Sequence, residues 1–213
     1  MKVASRSPSF FTTRKAVRYI LASILATIVS VASASPSVVC VDTPTGKGSA
    51  TYIGNGLYVT AHHVIEGDDY CFVRDPLLGT TQACQVVAIS REDDLAILRT
   101  NGVVLTPPAK VAKEGISVGD RVFAFGYGAS YAANDKPPKR RGWRGRVDGF
   151  GAIQGSKVPN VYIFNQPAIP GDSGGGVFNE DGELIGPLFG TDKTNTYATR
   201  NAELRQLLGV IAK

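Results

Sequence analysis

Short apolar runs separated by turn residues recur along this sequence after residue 34. Six of them lie in the first half, at residues 38–41, 50–53, 57–60, 70–73, 83–89 and 95–99. Runs of this length, bounded by glycine, proline, asparagine and aspartate, are typical of β-strands. Gly54-Asn55-Gly56 separates the second run from the third and predicts a hairpin. We expect these strands to form one antiparallel barrel over about 38–108.

A second set of runs occupies residues 121–125, 146–150, 161–164, 175–178, 184–188 and 196–199. It predicts a second barrel over about 115–200, so the expected fold is all-β, with two six-stranded antiparallel β-barrels. The 24 glycines and 12 prolines fit a chain with many turns. Leucines at 204, 207 and 208 predict a short C-terminal helix over 202–211, with Asn201 as its N-cap.

The first 34 residues differ from the rest in charge and hydrophobicity. Five basic residues and no acidic one are followed by an apolar run at 19–31 and by Ala32-Ser33-Ala34. This order predicts a signal peptide at 1–34 and a secreted or periplasmic mature chain at 35–213, with no stable membrane association after cleavage. An uncleaved signal anchor is the alternative, although the apolar run is shorter than the roughly 20 residues that span a bilayer.

The net charge of +5 comes from this leader. Without its five basic residues, 18 of the 23 lysines and arginines remain, and they balance the 18 aspartates and glutamates. The mature chain is therefore formally neutral, which argues against nucleic acid as a partner.

The chain has three cysteines, Cys40, Cys71 and Cys84. Cys71 and Cys84 flank a turn at 76–79, so a disulfide between them is expected, with Cys40 left over. Three buried thiols are the alternative. The two adjacent histidines and the scattered cysteines lack any metal-ligand spacing, and we expect neither a metal nor a cofactor.

The most specific motif is Pro170-Gly171-Asp172-Ser173-Gly174-Gly175-Gly176. A serine nucleophile has to project from a tight turn, and nearby backbone N–H groups have to converge on the oxyanion that its attack creates. Glycines around Ser173 permit such a turn. Ser173 is the candidate nucleophile, and the N–H groups of Gly171 and Ser173 are the candidate oxyanion donors.

The partners that a serine nucleophile needs occur earlier in the chain. His62 and His63 are its only histidines, and they follow a predicted strand; Asp94 begins the buried run Leu95-Ala96-Ile97-Leu98. An aspartate beside a histidine would fix the imidazole tautomer and stabilise the imidazolium. The chain order His, Asp, Ser is that of chymotrypsin-type enzymes.

With these motifs the chain resembles the chymotrypsin-like (trypsin-fold) serine peptidases, in particular bacterial secreted and DegP/HtrA-like protease domains, over about 38–210. Gly46-Lys47-Gly48-Ser49, Phe125-Gly126-Tyr127-Gly128 and Gly182-Glu183-Leu184-Ile185-Gly186 add to the resemblance. It implies a serine endopeptidase acting through an acyl-enzyme, without a PDZ module, and a catalytic triad of His63, Asp94 and Ser173. Counted from Thr60, the family pattern places the catalytic histidine at His63. His62 then stands where the family usually has a small residue. Gly176 departs from the usual proline.

The resemblance also implies a protein or peptide substrate and a monomeric enzyme. Its substrate pocket would be lined by Ala168, Phe189, Gly190 and Thr191. Pro167 stands where trypsins carry an acidic residue, so a small or medium apolar side chain is the favoured substrate residue. Asp192 at the rim leaves a basic residue as the alternative. An inactive protease fold that serves as a binding module is the alternative function.

Two further features stay open at this stage. Asp172 could pair with an internal arginine, Arg141 or Arg144, as in many bacterial relatives, or it could bond only to backbone N–H groups. Residues 136–146 carry six basic side chains, and we expect them on a loop of the second barrel. A solvated loop, a self-cleavage site, a contact for acidic substrates and an anion patch are the interpretations of this segment.

Overall fold

The computed structural model describes residues 37–134, 136–153, 158 and 161–212. The predicted signal peptide, or signal anchor, lies outside the described residues. No helix in the described part is long and apolar enough to cross a membrane.

The described residues form two closed antiparallel barrels of six strands each, which confirms the predicted fold class. Barrel one has the strand order β1-β2-β3-β6-β5-β4. Its strands are β1 Val38–Asp42, β2 Lys47–Gly54, β3 Leu57–Ala61, β4 Tyr70–Asp75, β5 Thr80–Ser90 and β6 Leu95–Arg99. Barrel two has the order β10-β11-β12-β9-β8-β7. Its strands are β7 Arg121–Gly126, β8 Arg141–Gly151, β9 Val161–Phe164, β10 Gly176–Phe178, β11 Leu184–Thr191 and β12 Thr196–Thr199.

Within the described residues, two α-helices accompany the barrels. Helix α1 covers Gly128–Ala133, and helix α2 covers Asn201–Ile211 at the C-terminal end. The prediction that Asn201 is the N-cap of α2 is wrong. Arg200 occupies the N-cap position and makes no side-chain cap hydrogen bond. The Asn201 side chain is buried instead, where it donates to the carbonyls of Ala112 and Glu114 and accepts a hydrogen bond from the Tyr162 hydroxyl.

The Gly54-Asn55-Gly56 turn connects β2 to β3 as predicted. All three residues have φ in the left-handed region, at 98°, 54° and 73°. Glycine and asparagine adopt this conformation at low cost, which explains why the two apolar runs fold back on each other here.

The continuous apolar runs of barrel one have both faces buried. Along β1, Val39 and Val41 point into the interior of barrel one, while Val38 and Cys40 belong to a second cluster. That second cluster also contains Tyr127 and Phe178 of barrel two, and Leu204 and Leu207 of α2. Because successive strand residues point to opposite faces, one run fills a barrel and also the junction between the two barrels.

Candidate active site

The candidate nucleophile lies in a glycine-framed turn between β9 and β10. Gly171 and Gly174, on either side of Asp172 and Ser173, have φ of 93° and 83°. The N–H of Gly174 donates to the Leu188 carbonyl at 2.7 Å, which attaches this turn to β11. A Cβ on Gly174 would lie 2.0 Å from the Ser49 carbonyl oxygen, so the turn also packs directly against β2 of barrel one.

The candidate base and its aspartate come from neighbouring strands of barrel one. Strand β3 ends at Ala61 and pairs there with Leu95 at the start of β6. A single 3₁₀ turn, His62–Val64, follows β3, while Asp94 directly precedes β6. This register brings the predicted His63 and Asp94 together, 31 residues apart in sequence.

The Asp94 carboxylate makes two hydrogen bonds to His63. Its Oδ2 lies 2.6 Å from the ring Nδ1, and its Oδ1 accepts the His63 backbone N–H at 2.8 Å. The side chain of Asp94 is 13% exposed, and that of His63 is 43% exposed. One carboxylate therefore holds both the backbone and the ring of His63, which leaves Nε2 as the ring nitrogen directed away from Asp94. His62, in contrast, is buried.

Gly48 brings the histidine and serine segments close together. A Cβ on Gly48 would lie 2.6 Å from Val64 Cγ1 and 3.1 Å from the Ser173 carbonyl oxygen. The next N–H, that of Ser49, donates to the same Ser173 carbonyl at 2.8 Å. Val64, which directly follows the predicted His63, and the predicted Ser173 thus lie against the same short segment of β2.

Two backbone N–H groups are free at the nucleophile turn. Within the described residues, the N–H groups of Gly171 and Ser173 have no hydrogen-bond acceptor. They are the groups predicted as oxyanion donors. The Asp172 N–H between them does have an acceptor, the Ile169 carbonyl at 3.0 Å.

Asp172 pairs with Arg141, one of the two arginines suggested by the sequence. Its fully buried carboxylate accepts from Arg141 Nε at 3.0 Å and lies 2.9 Å from Nη2. The N–H groups of Gly128 and Ile169 also donate to this carboxylate. Arg144 instead lies over the Phe123 ring, at 5.8 Å from its centroid.

The four predicted pocket residues lie next to Thr196 and Tyr197 of β12: Ala168 and Thr191 adjoin Thr196, and Phe189 and Gly190 adjoin Tyr197. The Thr196 hydroxyl oxygen accepts the Ala168 N–H at 2.6 Å and donates to the Gln166 carbonyl. Thr191 and Thr196 are register partners of β11 and β12, as are Gly190 and Tyr197. The Phe189 ring lies 6.3 Å from the Tyr197 ring. The arrangement joins the segment before the nucleophile to the β11–β12 hairpin.

Asp192 is engaged in its own turn. Its carboxylate accepts the N–H groups of Thr194 and Asn195, both at 2.6 Å, and the Tyr197 hydroxyl. These bonds, above all that of Tyr197, hold the pKa of Asp192 well below its usual range.

The predicted Cys71–Cys84 disulfide is wrong for this structure, in which all three cysteines are free and buried. Cys71 and Cys84 are paired across β4 and β5, so the expectation that they face each other holds. Facing positions alone do not make the bond, because a disulfide also requires a narrow range of side-chain torsions. Across the described residues, no three His, Cys, Asp or Glu side chains converge as a metal site requires.

Comparison with known proteins settles the family. A family model described as a trypsin-like peptidase domain matches residues 48–186, which include His63, Asp94 and Ser173. The chain belongs to the trypsin-like peptidase domain family.

Two curated bacterial proteins are similar to part of the chain. Two proteins named probable periplasmic serine endoprotease DegP-like, from Pseudomonas savastanoi pv. phaseolicola and Hahella chejuensis, are each 29% identical over 62% of the chain. The matches cover 26% and 27% of those proteins, so the chain spans about a quarter of their length.

Solved structures of such peptidases share the fold. An inactive form of the Rv3671c protease from M. tuberculosis H37Rv has a TM-score of 0.71 at 23% identity, with 99% of this chain and 96% of that chain covered. The serine endoprotease from Yersinia pestis has a TM-score of 0.72 at 22% identity, covering 86% of this chain and 65% of that chain.

Proposed function

We propose that the protein is a serine endopeptidase in which Ser173 is the nucleophile, His63 the general base and Asp94 the residue that orients His63. The observation that carries the proposal is the pair of hydrogen bonds from one largely buried carboxylate, that of Asp94, to the backbone N–H and the ring Nδ1 of His63. Such a carboxylate fixes the tautomer in which Nε2 is free to accept a proton, and it stabilises the imidazolium that results.

The proposed reaction has two halves. Ser173 Oγ attacks the substrate carbonyl carbon while His63 Nε2 takes the hydroxyl proton, and the N–H groups of Gly171 and Ser173 donate to the oxyanion. His63 then gives its proton to the leaving amine, and the C–N bond breaks to leave an acyl-enzyme on Ser173. Water, deprotonated by His63, attacks the ester carbonyl carbon; the bond from that carbon to Ser173 Oγ breaks, His63 returns the proton to Oγ, and the acid is released. The proposal needs no cofactor, since the serine, the imidazole and the backbone supply every group that these steps use.

The substrate residue beside the cleaved bond is proposed to be small or medium-sized and apolar. Thr196 supports this, because its hydroxyl is bonded to both Gln166 and Ala168 and its side chain fills space next to the predicted pocket wall. Pro167 offers no acidic group there, and its carbonyl accepts from Arg141 Nη2 at 3.3 Å. Cleavage of a peptide library with Ala, Val or Leu before the bond supports this preference, and cleavage after Lys or Arg contradicts it.

Export is proposed as well, with cleavage after Ala34. The basic leader sequence and the word periplasmic in the names of the DegP-like relatives support it. Mass spectrometry of the exported protein should then find Ser35 as the first residue. A retained leader in a membrane fraction would support the signal anchor instead.

The decisive experiment compares Ser173→Ala with Ser117→Ala, which removes a serine in an exposed loop. Reaction with a fluorophosphonate and turnover of a peptide ester should both be lost in Ser173→Ala, with kcat falling on the order of 10⁵–10⁶-fold. Both should be retained in Ser117→Ala. A folded wild-type protein that neither reacts with the fluorophosphonate nor cleaves any library peptide would support the inactive binding module.

A further inference from the structure

The buried Ser49 hydroxyl connects the nucleophile turn to both barrels. It donates to the Gly171 carbonyl at 2.9 Å and accepts the Tyr127 N–H at 3.1 Å. Ser49 lies on β2 of barrel one, and Tyr127 directly follows β7 of barrel two. Because Ser49 Oγ accepts the Tyr127 N–H on one side, its own proton is free to point at the Gly171 carbonyl oxygen on the other.

The backbone of Ser49 is used as fully as its side chain. Its N–H donates to the Ser173 carbonyl at 2.8 Å, and its own carbonyl accepts the Thr60 hydroxyl at 2.8 Å. Ser49 therefore holds two carbonyls of the nucleophile turn, one on each side of Asp172. It is itself fully buried, and the β1–β2 pairing, in which Cys40 is its register partner, fixes its position.

The Gly171 carbonyl belongs to the peptide whose Asp172 N–H donates to the Ile169 carbonyl, and Ser49 holds the other end of that peptide. Gly171 has φ of 93°, and glycine has no Cβ to restrict the rotation of the peptide planes on either side of it. One of those planes carries the Gly171 N–H, which the proposed reaction uses as an oxyanion donor. The other carries the carbonyl that Ser49 binds. Rotation of the first plane would turn the N–H away from the oxyanion.

We propose that Ser49 is a positioning residue of the oxyanion hole: its hydroxyl fixes the peptide that follows Gly171 and so keeps the Gly171 N–H directed at the substrate. The inference rests on the proposed function. Ser49 touches no reacting atom, so its loss should affect transition-state stabilisation and leave substrate binding nearly unchanged. An electrostatic donor acts only when it is already oriented before the reaction.

The test uses Ser49→Ala together with a matched control, Ser37→Ala. Ser37 is also fully buried and also donates to a backbone carbonyl, that of Pro107 at 2.8 Å, but it lies before β1, and its hydroxyl has no hydrogen bond to the nucleophile turn among the described residues. Both variants lose one buried serine-to-carbonyl bond, so a general loss of stability should appear in both. Only Ser49→Ala should change the chemistry.

We expect kcat of Ser49→Ala for a peptide ester to fall on the order of 10²-fold, as for loss of an oxyanion donor, with KM changed less than about threefold. A peptidyl boronate, whose adduct places an oxygen in the hole, should lose affinity in proportion to kcat. Ser49→Thr keeps a hydroxyl and should recover most of kcat. Rates are compared at a temperature where circular dichroism shows every variant folded.

The outcomes separate this inference from the proposed function. An active wild type with Ser49→Ala and Ser37→Ala equally active overturns the role of Ser49 alone. So does a loss in Ser49→Ala that appears in KM and not in kcat. If Ser49→Ala fails to fold, the kcat of Ser49→Thr is the deciding measurement. A folded threonine variant whose kcat has fallen on the order of 10²-fold contradicts a role for the hydroxyl. An inactive wild type overturns both proposals.

Discussion

Asp94 has a backbone conformation that few aspartates adopt, with φ of 51°. A non-glycine residue in this region costs free energy, on the order of 1–3 kcal/mol, and persists only when its surroundings enforce it. Here the surroundings are specific: the Asp94 carbonyl accepts the His62 N–H, and the preceding Asp93 carbonyl accepts the Thr199 hydroxyl at 2.8 Å. The proposed catalytic carboxylate is thus held from both barrels.

At the same scale, the two histidines should behave differently on substitution. His63→Ala should lose activity about as severely as Ser173→Ala, because members of one catalytic unit do not contribute additively. His62→Ala should retain most activity, since His62 is buried and the hydrogen bonds of the Asp94 carboxylate to a histidine go to His63. The measurement is kcat/KM for the same peptide ester. An inactive His62→Ala beside an active His63→Ala would show that the register in barrel one is misassigned.

The sequence predicted these residues because their types and order are restrictive, and it missed what supports them. Nothing in the local sequence around Thr196 or Thr199 shows that these hydroxyls reach the pocket wall and the Asp93 carbonyl, since both contacts depend on how distant strands pack. The two histidines directly follow strand β3, as expected. They lie in a 3₁₀ turn, where successive side chains diverge by about 120°.

At the scale of elements, the basic composition of residues 136–146 led to a wrong expectation about their secondary structure. Residues 136–146 were expected on a loop, but the second half of the segment begins strand β8. Its arginines fit the strand because their partners lie on it or next to it: Arg141 stacks on Trp143 at 4.2 Å, and Arg144 lies over Phe123 of β7. Charge counting cannot reveal such partners, which depend on the register between β7 and β8.

Strand β8 supplies a matched pair of variants. Arg141→Met leaves the fully buried Asp172 carboxylate with only backbone donors, and loss of one partner of a buried pair costs about 3–5 kcal/mol. The nucleophile turn should rearrange, so kcat/KM should fall more than about 100-fold and the melting temperature should fall as well. Arg144→Met loses an exposed stacking contact worth about 0.5–1 kcal/mol and should stay close to wild type.

Enzyme assays and thermal unfolding of both variants check this prediction. Equal losses in Arg141→Met and Arg144→Met would mean that the net charge of the segment matters, and not the ion pair with Asp172. Full activity in Arg141→Met would show that the N–H groups of Gly128 and Ile169 suffice to hold Asp172.

At the scale of the whole molecule, barrel one encloses ionisable groups in an apolar interior. Cys71 and Cys84 belong to its core cluster, together with Tyr58. Burial raises the pKa of the Cys71 and Cys84 thiols to about 12, and it raises the pKa of Tyr58 as well. The folded protein therefore keeps these groups protonated at pH values where the unfolded chain releases their protons.

The free energy of unfolding should accordingly depend on alkaline pH. A thiol whose pKa is higher in the folded state stabilises the fold fully below its ordinary pKa, and this stabilisation is lost as the pH rises from about 9 toward 12. In that pH window, each thiol lowers the free energy of unfolding by up to about 1.4 kcal/mol per pH unit. Urea unfolding between pH 7 and 11 measures this dependence, and a Cys71→Val, Cys84→Ala variant should show a shallower slope.

A thiol titration completes this test. Ellman's reagent should react slowly with the native protein at pH 8 and should count three thiols in denaturant, as expected for the free cysteines of the structure. A count of one thiol would contradict the free-thiol state, and the expected alkaline slope would then disappear with it.

The division of the site between the barrels has a consequence for the cell that makes the protein. His63 and Asp94 belong to the first half of the chain, while the nucleophile turn follows β9 and is attached to β11. A chain still being synthesised, with only its first barrel folded, holds a base without a nucleophile. Under the proposed mechanism, peptidase activity therefore requires both barrels to be folded and docked, and a nascent chain with one folded barrel should be inactive.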